Sequence, residues 1–297
     1  MKKKIGILNI YPCGLPVNDN RQKQPPVLLL LSGFPDYPSV WDALAQTELA
    51  HHYHIVKMAF PCMDEPLPPE SRWGYSFATV RDNLLRVVQY YRETLRCETI
   101  YLAGHDWGSA VAIWYAQRYP STLTKLIFLD VAPLHLGEVG VKGAFTFFCY
   151  QFFLALAFLL SRLVPFYLHV WFPLFINCYP WNSWLFSPIR PRDMPSQTVH
   201  DMASRIYPDQ CYPYFQSIKL LLTSGLNLGL FADPGGVPHM LFIYGQRKTV
   251  NFHGRRIIEY LDQTPGCRQI AYPTVGHWMQ TEAPERLAKD MLDFLQD

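Results

Sequence analysis

Unbroken apolar runs of strand length recur along the chain: Lys4 to Tyr11, Val27 to Leu31, Ile55 to Phe60, Thr99 to Ala103, Lys125 to Leu129, Met240 to Tyr244 and Gln269 to Tyr272. Runs of this kind, as opposed to alternating ones, suit strands buried on both faces of a mostly parallel sheet. Between them Phe77 to Leu95, Trp107 to Tyr119, Gly254 to Asp262 and Pro284 to Leu295 repeat apolar positions at helical spacing. The alternation predicts an α/β fold, a mostly parallel central sheet flanked by helices.

The rhythm fails over residues 134–234, where Phe, Leu, Tyr, Trp and Pro dominate and helical runs occur without strands. Pro133 opens the stretch and Asp233-Pro234-Gly235-Gly236 closes it, both with turn chemistry. The expected organisation is a core of residues 1–133 and 235–297, with a helical insertion of residues 134–234 between two of its strands. Gly143 to Ser161 runs for 19 residues without a charge, and as far as Ile189 the sole formally charged residue is Arg162. That length reaches the lower bound for a membrane span, yet Gln151 lies inside it and Pro165 and Pro173 interrupt the chain beyond it. Two roles stay open: helices packed round a greasy substrate tunnel, or a surface that dips into a bilayer.

The charge balance narrows the field. With 26 basic and 24 acidic residues spread without blocks, the net charge of +2 leaves no electrostatic footprint for nucleic acid. Seven scattered cysteines without a C-x-x-C pair fit neither a disulfide framework nor a zinc site, so reduced thiols are expected. Lys2 to Lys4 are followed by only Ile5 to Leu8 before Asn9, too short an apolar stretch for a secretory signal. An intracellular, cytoplasmic setting is the expectation, with the membrane question confined to the insertion.

The chemistry concentrates in Thr99 to Ala110, where a strand runs through Gly104-His105-Asp106-Trp107-Gly108 straight into a helix. Such an elbow lifts one side chain above the carboxyl edge of the sheet, and small residues on either side let strand and helix approach. The lifted residue is Asp106, and the helix N-terminus favours its ionised, nucleophilic form. A plain helix N-cap is the competing role. Ser109 lies three residues into the helix, off the apex, and reads as structural. Asp130 ends the strand at Lys125 to Leu129 and His277 comes after the last strand, which brings both to the same edge. His277 would then act as base and Asp130 as its orienting carboxylate, against a turn-forming role for Asp130 ahead of Pro133. A carboxylate nucleophile has a chemical consequence. Serine attacking saturated carbon would leave an ether that activated water does not readily cleave, whereas aspartate leaves an ester that can be hydrolysed at its own carbonyl. The oxyanion formed there would be held by backbone N–H groups after Asp106 and near Phe34. Asp106 therefore implies an electrophilic sp3 carbon, as in an epoxide or an alkyl halide.

On Gly104-His105-Asp106-Trp107-Gly108, the loop Ser32-Gly33-Phe34-Pro35-Asp36 and Gly276-His277, the chain resembles the epoxide hydrolase and haloalkane dehalogenase branch of the α/β-hydrolase superfamily. The likeness is strong up to Pro133 and from Met240 onward, and weak in the insertion. It implies an α/β-hydrolase fold, a helical cap formed by the insertion, and hydrolysis without metal or organic cofactor. Two departures stand out: Ser32 replaces the usual His before Gly33, and Gly245-Gln246-Arg247-Lys248-Thr249 holds no acid where many epoxide hydrolases place one. Asp130 fits the alternative placement known in dehalogenase-like members. The resemblance further implies two cap tyrosines that donate to the oxirane oxygen, matched by Tyr150 and Tyr214 with Tyr212 as substitute, and each has packing as its competing role. Phe34, Trp107, Tyr212 and Trp278 are the expected substrate contacts. The expected substrate is an apolar small molecule such as a lipid-derived epoxide, with haloalkane chemistry or a silent membrane-associated hydrolase scaffold as alternatives. Fluoroacetate is disfavoured, because no arginine comes directly after Asp106. The oligomeric state is not indicated.

Overall fold

The computed structural model describes residues 2–17, 24–134, 138, 141–164, 206–224, 239–248 and 251–297. Eight strands form one sheet: β1 (Lys3–Ile5), β2 (Leu8–Gly14), β3 (Val27–Leu31), β4 (His54–Met58), β5 (Ile100–His105), β6 (Lys125–Leu129), β7 (Met240–Gly245) and β8 (Arg268–Tyr272). Their order across the sheet is β1-β2-β4-β3-β5-β6-β7-β8. The first two pairings, β1 with β2 and β2 with β4, are antiparallel and all later ones parallel. The expected α/β fold is therefore present, with one local difference: the first apolar run is a hairpin, because Gly6 at φ +58° turns the chain between β1 and β2.

The six longer helices are α1 (Phe77–Gln89), α2 (Trp107–Arg118), α3 (Val141–Leu163), α4 (Tyr212–Ser224), α5 (Arg255–Gln263) and α6 (Pro284–Gln296). Ser76 caps α1 by accepting from the Thr79 N–H, and beyond Gln89 the same run continues as a wider turn over Tyr90–Thr94. The continuous apolar runs are explained by burial on both faces. Leu29, Leu31, Leu102, Phe128 and Phe242 pack on one side with Val80, Leu84, Val111 and Tyr115 of α1 and α2. Leu28, Leu30, Ala103, Ile127, Leu129 and Ile243 alternate to the other, against Trp41 and against Leu287, Met291 and Phe294 of α6.

Register decides where the chemistry sits. Leu31 pairs with Gly104, Gly104 with Phe128, and Leu129 with Ile243. The loops after β3, β5, β6 and β7 thus leave the sheet at one level, which is where parallel sheets form their ligand crevice.

Among the described residues between β6 and β7 there are helices and no strand. Helix α3 buries Leu154, Ala157 and Phe158 and exposes Phe145, Phe148, Phe152 and Leu163. Gly143–Leu163 is long and apolar enough to cross a membrane by length and composition, and a third of its most apolar window is buried inside the protein. The turn before α4 is tied to the core loop after β4. Asp209 accepts from Arg162 at 2.5 Å and from the Leu67 N–H at 3.0 Å, and Gln210 donates to the Met63 carbonyl at 2.8 Å. Pro165, Pro173, the closing turn Asp233-Pro234-Gly235-Gly236 and Thr249 lie outside the described residues, as does the boundary expected at 234.

Candidate active site

Asp106 stands between β5 and α2 with φ 55° and ψ −125°, a left-handed conformation that aspartate adopts only under constraint. The constraint is close packing under the turn. A Cβ on Gly108 would collide with the Leu31 carbonyl, and one on Gly104 with the Gly108 carbonyl. Gly108→Ala is accordingly expected to destabilise the fold by about 1–3 kcal/mol, since backbone atoms have to move. A thermal unfolding midpoint equal to the parent's would show that the elbow has room to spare. Ser109 is structural, as its place in the helix implies: its buried hydroxyl donates to the Gly104 carbonyl at 2.7 Å, lies 3.0 Å from the Leu129 carbonyl and accepts from the Leu129 N–H.

The Asp106 side chain serves two directions. Oδ1 accepts from the Phe34 N–H at 2.8 Å, while Oδ2 lies 3.6 Å from Nε2 of His277. It makes no side-chain cap bond to α2, so the N-cap role is not what holds it. On the far side of the ring, Nδ1 of His277 meets Oδ2 of Asp130 at 2.5 Å. Asp130 itself leaves β6 at φ 64°, is fully buried, and also accepts the Gly245 N–H at 3.1 Å on Oδ1. The three residues that the sequence places at one edge are in line.

The fourth member is Lys248, which sequence reasoning misses. By sequence the loop after β7 is notable only for its lack of an acid, yet Lys248 is fully buried there at the side chain and ion-paired with Oδ1 of Asp130. The signal is the complementarity itself: a basic residue stands where the resemblance to epoxide hydrolases leads one to expect an acid, while the acid stands after β6. Burial penalises the Asp130 charge, but Lys248 and then His277 outweigh it and hold the carboxyl well below its ordinary range. Burial likewise disfavours the His277 imidazolium, and the charges of Asp130 and Asp106 overcome it, raising the ring to about 9.

A second buried network fixes the histidine's backbone. His105 touches the His277 carbonyl with Nε2 at 2.9 Å and Asp36 Oδ2 with Nδ1 at 3.1 Å. Trp278 donates its indole N–H to Asp36 Oδ1 at 2.9 Å, and Gln280 reaches His105 at 3.2 Å. In the sequence His105 and Asp36 are no more than motif letters. Their work is to hold two loops together, and the Trp278 indole is engaged there.

The three tyrosines expected from the insertion divide. The hydroxyls of Tyr150 and Tyr214 are hydrogen-bonded to each other, and the Tyr214 ring meets Phe34 and Trp107 edge-on at 5.0 and 5.4 Å. Burial, with the neighbouring Tyr150 and Asp106 adding to it, keeps Tyr214 protonated well above its ordinary range. Tyr212 points elsewhere: it packs on Phe60 and Tyr75 and over Gly74, and its buried hydroxyl has no partner among the described residues. The structure thus gathers Phe34, Trp107, Tyr150 and Tyr214 about Asp106, and leaves Tyr212 outside the group. Among the described residues, no cluster of His, Cys, Asp or Glu could hold a metal ion.

Such an arrangement can do covalent chemistry. One carboxylate oxygen is pinned by an amide that can also stabilise an oxyanion, the other faces an imidazole, and a hydrogen-bonded pair of phenols packs on the neighbouring Phe34 and Trp107. Comparison with known proteins bears on the scaffold. The Alpha/beta hydrolase family profile matches residues 28–290. Epoxide hydrolase 4 of Homo sapiens is 30% identical over 105 residues, 35% of this chain and 28% of that one. Fluoroacetate dehalogenase of Burkholderia sp is 28% identical over 114 residues, 37% of this chain and 36% of that one. The matched stretches take in about a third of the length of such relatives. A solved structure from Pseudomonas aeruginosa, provisionally described as an epoxide hydrolase, superposes with a TM-score of 0.66 at 18% identity, covering 100% of this chain and 94% of its own. At that identity the likeness concerns the fold.

Proposed function

Since the chain belongs to the alpha/beta hydrolase family, we propose that it is a hydrolase acting through a covalent ester on Asp106, with an apolar epoxide as substrate and a diol as product. The observation that carries the reading is the divided Asp106 carboxylate, with Oδ1 on the Phe34 amide and Oδ2 towards His277. Oδ2 attacks an oxirane carbon, the C–O bond breaks, and the departing oxygen takes a proton from the Tyr150–Tyr214 pair. His277, protonated in the resting site, gives that proton to the phenolate and then removes one from water, which attacks the ester carbonyl. The oxyanion on Oδ1 is met by the Phe34 N–H, and its collapse releases the diol and restores the carboxylate. His277 ends with a proton as it began and the phenol has already been restored, so the net change is epoxide plus water to diol. Asp130 orients the ring through Nδ1 and balances its charge.

In this reading residues 134–234 are a cap over the site, and the apolar face of α3 supports an apolar substrate. The same face is what a contact of the cap with a bilayer would use. One observation favours haloalkane dehalogenation as the second reading: the buried indole N–H of Trp107 has no hydrogen-bond partner of normal geometry among the described residues and could meet a leaving halide.

The test is turnover of styrene, terpene and fatty-acid epoxides beside 1-haloalkanes, with His277→Gln examined by intact mass. Diol formation by the native chain, together with a stable adduct of one substrate mass on His277→Gln, is the expected result. Halide release without diol would move the assignment to the second reading. Absence of any adduct would remove the covalent mechanism.

A further inference from the structure

One buried group has no part in the proposed chemistry. The Lys248 side chain is fully enclosed and bonded to Asp130, and a lysine is rarely buried unless its charge is needed where it lies. The two oxygens of Asp130 are divided between Lys248 with the Gly245 N–H on one side and His277 on the other. Resting on the aspartyl-ester reading above, we propose that Lys248 is a positioning residue that acts through Asp130: by sharing that carboxylate with His277 it sets when the imidazole gives up its proton during hydrolysis of the ester.

The charges facing the ring change through the cycle. In the resting site two carboxylates, Asp106 and Asp130, face it, and together they hold it protonated at neutral pH. Esterification consumes the charge on Asp106, and His277 must then become neutral to serve as a base. Asp130 alone would still favour the imidazolium in so dry a site. Lys248 neutralises part of that pull, so the proton leaves near neutral pH.

Other charges nearby do not substitute for it. His253 beside Phe242 and Tyr244 is lowered to about 4 by burial and by the Lys248 charge, and is therefore neutral. His105, whose ring centre lies 4.6 Å from that of His277, is committed to Asp36 and to the His277 carbonyl. Arg247 is paired with Glu282, which also accepts the Gly276 N–H. Tyr150 and Tyr214 are hydrogen-bonded to each other, and Tyr214 stays protonated. Lys248 is thus the one buried cation bonded to Asp130 apart from His277 among the described residues.

The experiment compares the native chain, Lys248→Met and Lys248→Arg over pH 5.5 to 10 with the epoxide of the panel that turns over fastest. Steady-state rates are read alongside intact mass. Lys248→Met should shift the acid limb of kcat upward by on the order of one pH unit, the scale of one nearby charge at intermediate dielectric. The ester should accumulate on this variant at pH 7 and drain at alkaline pH. Lys248→Arg should restore the native profile. Should the methionine variant fail to fold, Lys248→Gln keeps a donor to Asp130 without the charge and is read in the same way. A uniform loss at all pH values, with the acid limb unmoved and no ester accumulating, would reduce Lys248 to a structural role. That result differs from failure of the parent reading, in which His277→Gln of the otherwise native chain forms no adduct.

Discussion

Replacing Asp106 with alanine is expected to lower diol formation by roughly 10⁴- to 10⁶-fold, to the level of uncatalysed hydrolysis, and to prevent any covalent adduct. The reason is stoichiometric: no other carboxylate at the site has an oxygen open to substrate, because both oxygens of Asp130 are taken by Lys248, Gly245 and His277. A companion variant separates function from folding. Aspartate at φ 55° and ψ −125° holds a strained backbone worth on the order of 1–3 kcal/mol, which glycine does not incur. Asp106→Gly should thus be inactive while unfolding no earlier than the native chain. Residual turnover within tenfold of native in either variant would refute the nucleophile, and a large loss of stability in the glycine variant would mean that the carboxylate is there to hold the elbow.

Asp130→Asn is expected to be nearly as damaging, with a fall of roughly 10³- to 10⁴-fold in turnover, because the amide keeps the shape but neither orients nor charge-balances the imidazole. The same change leaves Lys248 buried without its counter-charge, so a stability loss of about 3–5 kcal/mol should accompany it. Adding Lys248→Met to Asp130→Asn should recover much of that stability and none of the activity. Urea unfolding and turnover measured on the single and double variants check both halves. If Asp130→Asn turned over at close to the native rate, the acid of the site would have to be sought elsewhere.

The pH response of stability has a definite sign. His277 in the fold lies near 9, above the ordinary histidine value, so it contributes stability that is fully present below about 6.5 and fades as pH rises through 9. Asp130 has the opposite dependence. Its contribution is complete above the ordinary aspartate range and is lost on acidification.

Hydrophobic periodicity alone settles the α/β architecture, because strands covered on both faces have to be apolar throughout, and Val27–Leu31 is completely buried. Strand ends in a parallel sheet share one edge, and that is enough to gather Asp106, Asp130 and His277 before any coordinates. Tertiary structure alone could decide which of two tyrosines turns towards the site, because Tyr212 and Tyr214 are two positions apart on one helix and only packing against Gly74 or Phe34 separates them. It alone could show that Lys248 answers Asp130 and that Asp36 and His105 bind two loops, since those pairs lie far apart along the chain. Periodicity carries information about which face a residue occupies. Which charge meets which is fixed by the path of loops whose sequence has no period, and so it emerges only when the sheet has brought them together.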